Sequence, residues 1–170
     1  MTVMQQVSAL DPAVEAGVDA AVALLRGRTV AVLTGAGVST DSGIPDYRGE
    51  GAPPRSPMTF QTFLADDRAR KRYWAGSHLG WHRFSSSEPN DGHRALASLE
   101  LDGVVNGVIT QNVDGLHLRA GSRRVVDVHG SMDRVRCLTC GQIFARDDIA
   151  ARLAAADPWL DAPDGVRVNP

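Results

Sequence analysis

Apolar positions along this chain change period several times, and each change marks an element. Val14, Val18, Ala21, Val22 and Leu25 recur at the three-to-four spacing of one helical face. Asp11-Pro12 ahead of them offers an N-cap and a first residue with its φ already set, and Gly27 behind them offers a stop. A helix to Leu25 with that face buried is therefore predicted. Thr29 to Thr34 is a short, almost wholly apolar run rich in β-branched residues, which predicts a parallel strand covered on both faces. It ends in Gly35-Ala36-Gly37, where small residues let a turning backbone approach a ligand closely. Asp41 to Pro57, with Gly43, Pro45, Gly49, Gly51, Pro53, Pro54 and Pro57, reads as a long loop.

Residues 58–84 carry Phe60, Phe63, Leu64, Tyr73, Trp74, Trp81 and Phe84 and predict helices lying outside the main sheet. Asn90 can cap a helix from Asp91 to Leu99, and two strands follow, Val104 to Thr110 and Arg124 to Val128, with Gly103 and Gly107 at turns or close approaches. Val135 to Phe144 is a small cysteine-bearing unit, and Asp147 to Ala155 predicts a last helix. Asp157-Pro158, Ala162-Pro163 and Asp164-Gly165 then signal loop. Strands alternating with helices place the chain in the α/β class. The ending at Asn169-Pro170, with no closing helix or strand, reads as cut.

Composition narrows the partners. A length of 170 residues with 43% hydrophobic positions suits one domain or one lobe. Eighteen basic against twenty acidic residues, a formal charge of -2, give no broad positive field for nucleic acid or an anionic membrane. Lys71 is the only lysine. No charged segment followed by an apolar one opens the chain, and no apolar run reaches membrane-spanning length, so a soluble, cytoplasmic protein is expected. Cys137 and Cys140 are the only cysteines, which speaks against a disulfide framework.

Candidate chemistry gathers at strand ends. Gly-Ala-Gly-Val-Ser-Thr follows the first strand as a phosphate-binding glycine loop would, but Thr40 stands where G-x-G-x-x-G has its third glycine. Alone it is a tight turn, a nucleotide loop or a loop for another ligand. Its continuation through Asp46, Arg48 and Gly49 is unusually dense in glycine, hydroxyl and carboxylate groups. Thr110-Gln111-Asn112-Val113-Asp114 leaves a second strand; Asn112 and Asp114, two apart in extended chain, could read an amide-bearing ligand or simply stabilise an Asx turn. His117 reads as a structural histidine. His129 ends the third strand and is either a proton acceptor or another structural histidine. Cys137-Leu138-Thr139-Cys140 has the spacing of half a zinc knuckle, of a redox pair or of an inert pair; as a zinc site it needs a second pair beyond Pro170.

Taken together, GAGVSTDSGIPDYRG at 35–49, TQNVDGLH at 110–117, His129-Gly130 and CLTC at 137–140 resemble the sirtuin family of NAD-dependent protein-lysine deacylases. The likeness runs over residues 14–168. Arg72-Tyr73-Trp74-Ala75, Gly80-Trp81, Phe84-Ser85-Ser86, Pro89-Asn90 and Gly121-Ser122-Arg123-Arg124 resemble the branch that includes a lipoamidase and ADP-ribosyltransferase. In the desuccinylase branch an arginine follows a tyrosine by three residues; here Gly76 follows Tyr73, so acidic-acyl specificity is not implied.

The resemblance implies an incomplete Rossmann-like parallel sheet over residues 11–134, with the helical insertion at 58–84, and a partial zinc-binding module over 135–170. It implies NAD and zinc as cofactors and an acyl-lysine protein or peptide as substrate, with no membrane or specific nucleic acid partner. Gly35, Ala36, Gly37, Ser39, Ile44, Asp46, Arg48, Gln111, Asn112 and Asp114 would bind the cofactor. His129 would be the general base, with Asn112 as a second catalytic residue, and Cys137 and Cys140 would be metal ligands. The products would be nicotinamide, free lysine and O-acyl-ADP-ribose. Protein ADP-ribosyl transfer and a non-catalytic nucleotide-binding module are the alternatives, and the activity of the 170-residue chain by itself is left open.

Overall fold

The computed structural model describes residues 11–46 and 57–158. Helix α1, Pro12–Leu25, starts as its sequence requires: the Asp11 carboxylate accepts from the Ala13 N–H at 2.8 Å, Pro12 occupies the first turn, and Gly27 leaves the helix at φ 69°. Its apolar face is not buried. Val14, Val18, Val22 and Leu25 remain 39% to 51% exposed, because no described element packs over them. Helical period shows which residues share a face but not what covers it.

Three strands, β1 (Val30–Thr34), β2 (Val105–Thr110) and β3 (Val125–Asp127), form a parallel sheet in that order. Helices α2 (Phe60–Ala65), α3 (Asp67–Ser86) and α4 (Asp91–Leu101) lie between β1 and β2, and the single turn α5 (Leu116–Arg119) between β2 and β3. One row of the sheet, Val32–Val108–Val125, faces α4 and α5, and with Val105, Ala97 and Leu116 it forms the core. The opposite row, Leu33–Ile109–Val126, is 68%, 40% and 58% exposed. The expectation that β1 is covered on both faces is therefore corrected: its burial alternates with the pleat, as in a strand covered on one side.

Asn90 caps α4 as expected, its side chain accepting from the His93 N–H while the His93 ring takes the Asn90 N–H. The helix runs two residues past Leu99. Glu100 near its end accepts from the Arg123 and Arg124 N–H groups at 2.9 and 2.8 Å and so sets where β3 begins.

Beyond β3 the chain makes a separate antiparallel hairpin, β4 (Arg134–Arg136) and β5 (Ile143–Ala145), followed by α6 (Arg146–Ala156). No helix among the described residues is long and apolar enough to cross a membrane.

The close approach expected at Gly107 is present. A bulge between Val30 and Ala31 skips Asn106, and a Cβ on Gly107 would lie 2.8 Å from the Arg124 carbonyl oxygen. That neighbour is backbone, so it cannot rotate away. Gly107→Ala is expected to destabilise the fold by about 1–3 kcal/mol, read as a lower midpoint in urea unfolding; an unchanged midpoint would show that β2 and β3 separate freely.

Candidate active site

Parallel pairing brings the carboxyl ends of the three strands into register, and the loops that leave them meet. Thr34, Thr110 and Asp127 form the last row of the sheet. After Thr34 the chain enters a 3-10 helix, Ala36–Ser42, closed by Gly43 at φ 80°. Thr40, the residue that breaks the glycine fingerprint, is exposed and donates its hydroxyl to the Gly37 carbonyl at 2.9 Å. The third glycine of that fingerprint serves close helix–strand packing, which this turned-out position does not require.

A buried polar lattice ties the three loops together. Thr34 donates its hydroxyl to Thr110 at 2.9 Å, and the Thr110 oxygen also accepts from the Asn112 N–H at 3.1 Å. Asn112 Nδ2 donates to the Gly35 carbonyl and to Ser39 Oγ, both at 3.0 Å, and Ser39 donates to Asp114 Oδ2 at 2.7 Å. Asp114 Oδ1 accepts from the Leu116 N–H at 2.9 Å. The Ser39 proton and the Asn112 amide protons are thus engaged within the protein. These side chains hold the loop, and Asn112 retains Oδ1 as its free acceptor among the described residues. Asp114 closes an Asx turn and also bonds Ser39, so its local and its long-range role coexist.

Above this lattice lies a cleft of about 470 Å³ lined by Ala36, Gly37, Ser39, Ile44, Asp46, Phe84, Gln111, Asn112, Val113, Asp114 and His129. The candidates from all three strand ends thus border one space. Gly35 and Gly37 have no atom within 4 Å of where a Cβ would stand, which leaves their backbone open to a ligand. His129 is exposed, two residues past β3. Arg48 lies outside the described residues. The sequence reading missed Phe84, which α3 brings to the cleft, and Arg83, whose Nη2 donates to the Gly43 carbonyl at 2.9 Å. Only the helical run that places both at the end of α3 could have hinted at them.

Beneath the cleft His117 and His93 are buried with ring centroids 4.8 Å apart. Because the Thr34 proton goes to Thr110, the His117 Nε2 proton must point at Thr34 Oγ1, 2.8 Å away. His117 thus makes a buried hydrogen bond of the structural kind that its sequence context favoured. Its Nδ1 and the Nε2 of His93 have no hydrogen-bond partner among the described residues.

Cys137 and Cys140 sit in the turn between β4 and β5, with Gly141 at φ 76°. Backbone N–H groups of Cys140 and Thr139 point at the Cys137 sulfur and hold its pKa below the usual thiol value, which suits a metal-bound thiolate. Among the described residues no group of three or more His, Cys, Asp or Glu could hold a metal. The pair is thus at most half of a tetrahedral site.

Comparison with known proteins agrees with this architecture. Residues 35–159 match the model of the Sir2 family. The chain belongs to that family. It is 59% identical over 153 residues to NAD-dependent protein deacetylase 1 of Mycobacterium avium, covering 88% of this chain and 54% of the relative. NAD-dependent protein deacylase Sirt4 of Drosophila melanogaster is 47% identical over 150 residues, covering 85% and 48%. The solved structure "Sir2-p53 peptide-NAD+" superposes with a TM-score of 0.70 at 35% identity over 80% of this chain and 55% of that one. This chain spans about half the length of the curated relatives it matches.

The histidine pair makes the fold sensitive to acid. Burial lowers the pKa of both rings; His93 is further lowered by Arg94 and His117 by His93, while Asp114 opposes the shift in each. Folded protein therefore binds protons less readily than unfolded protein near and below the ordinary value of 6.5. This contribution to stability is complete above about 6.5 and is lost as pH falls from there through the depressed folded values. Unfolding midpoints measured between pH 7.5 and 5 should fall with acid, and His117→Gln should flatten the fall; an equal slope in that variant would exclude His117 as the cause.

Proposed function

We propose that the protein carrying this chain is an NAD-dependent protein-lysine deacylase. The observation that carries this reading is the convergence of the loops after β1, β2 and β3 on one cleft, with open glycine backbone on one wall and His129 on another. The names of the relatives and the NAD+ and peptide complex among the structural neighbours support it.

The cleft fits NAD in chemistry and in size, since nucleotide and cofactor sites commonly enclose about 300–1,000 Å³. NAD bound there would supply an electrophilic ribose carbon, with nicotinamide as its leaving group. The chain's part is to hold and to exclude. Gly35, Ala36 and Gly37 present backbone to the cofactor, Ile44 keeps that wall apolar, and Asp46, Gln111 and Asp114 supply polar contacts. Asn112 offers Oδ1 to the nicotinamide amide, and Arg48 joins from the adjoining loop. His129, exposed at the rim, accepts a hydroxyl proton, the role for which imidazole is suited at neutral pH. The acyl-lysine of a protein or peptide enters beside it. Cys137 and Cys140 would supply two ligands to a structural zinc, which would need a second pair outside this chain to close its site.

In the full-length protein, His129→Ala should lower NAD-dependent nicotinamide release from an acyl-lysine peptide by about 10²–10⁴-fold. O-acyl-ADP-ribose should form in step with free lysine in the wild type. Equal turnover by wild type and variant would remove His129 as the base, and transfer of ADP-ribose to protein would replace deacylation.

Zinc content gives a separate check. Metal analysis of full-length protein should find about one zinc per chain, and Cys137→Ser should abolish stable occupancy, because two or three remaining ligands hold zinc poorly. Unchanged zinc in that variant would reject Cys137 as a ligand.

A further inference from the structure

Arg146, the first residue of α6, is 3% exposed; no carboxylate forms a direct ion pair with it among the described residues, and the neighbouring Asp147 offsets its desolvation only in part. Buried charges are ordinarily paired, so this one is held at a cost. Its guanidinium lies 5.1 Å from the Trp74 ring and 5.7 Å from the Trp81 ring, and Nη2 donates to Ser77 Oγ at 3.1 Å. Trp74, Ser77 and Trp81 lie along one stripe of α3, at positions i, i+3 and i+7. The cation thus sits in a slot between two indoles two turns apart. The neighbouring Asp147 accepts from Trp81 Nε1 at 2.7 Å, which fixes the indole edge.

Both ends of this contact lead to the cleft. The Arg146 N–H donates to the Asp133 carbonyl at 2.8 Å, four residues beyond His129. Between them the Met132 N–H donates to Val113, and before His129 the Val128 N–H donates to Thr110. The stretch carrying His129 is therefore tethered to the sheet at Val128 and Met132 and to α6 at Asp133. On the other side, α3 ends with Arg83 on the Gly43 carbonyl and Phe84 in the cleft wall. One helix thus braces the loop after β1 and, through Arg146, the segment of His129.

We infer that Arg146 is a positioning residue, whose cation seated between Trp74 and Trp81 fixes the His129 segment relative to the loop at 36–46. The inference rests on the deacylase reading for its effect on turnover but not for its effect on structure. The planar guanidinium lies near both indole rings, so an ammonium restores charge without the same fit.

The test uses full-length Arg146→Met and Arg146→Lys, with amide hydrogen exchange and steady-state kinetics. In the Met variant, exchange at 128–134 should rise about tenfold while 105–110 in β2 stays unchanged, as for a local opening. Its kcat should fall about tenfold with NAD+ affinity within about twofold, because misplacing a reacting group costs rate more than binding. The Lys variant should lie between, and it decides the matter if the Met variant does not fold. Unchanged exchange at 128–134 in a folded variant overturns the inference, as does an equal rise across β2, which would make the clamp a general stabiliser. If the wild type releases no nicotinamide, the deacylase reading fails on that result alone, and the exchange data still decide the role of Arg146.

Discussion

The parallel pairing of β1 with β2 is the constraint on which the rest of the molecule hangs. It sets Thr34 beside Thr110, and from these two hydroxyls the lattice reaches His117 on one side and Asn112, Ser39 and Asp114 on the other. A neutral hydrogen bond contributes only about 0.5–1.5 kcal/mol net, whereas stranding one buried member costs about 1–3 kcal/mol. The lattice is therefore effectively complete or absent. A shift of either strand by one residue would put Leu33 or Gly35 in place of Thr34, or Ile109 or Gln111 in place of Thr110, and leave several groups without partners.

This explains how the cleft can be built from loops and still have a defined shape. Asn112 reaches across to Gly35 and Ser39, and Asp114 to Ser39, so the walls after β1 and β2 are one bonded unit. Ile44, buried just beyond Gly43, seals the same wall. Among the described residues, the wall carrying His129 has no bond of this kind to the loop after β1. It is located from behind, through Val128, Met132 and Asp133.

Elements were legible in the sequence because their signals are local. Asp11-Pro12 and Gly27 bracket α1, Asn90 opens α4, and β-branched runs mark the three strands, each within a residue or two of its place. The glycine loop, the Gln-Asn-Val-Asp turn and His129 could be found because each follows such a strand. Burial was less legible: the faces of α1 and of the sheet at Leu33 were expected to be covered, and covering is a property of distant chain. Hydrogen-bond partners were not legible either: nothing local in the sequence shows that the Ser39 hydroxyl proton and the Asn112 amide protons are committed within the protein. Arg146 gave no signal at all, since an arginine opening a helix is ordinarily a solvated one.

The sequence separations within the lattice also govern when it can form. Ser39 and Asp114 are 75 residues apart, and Asn112 is 77 from Gly35, with the helices of the insertion emerging between them. At about 5–20 residues per second, a nascent Ser39 waits about 4–15 s for its partner, with β1 lacking β2 throughout. Helices α2 to α4 close on local contacts long before that. The cleft is thus a late product of synthesis, assembled only once the second strand arrives beside the first.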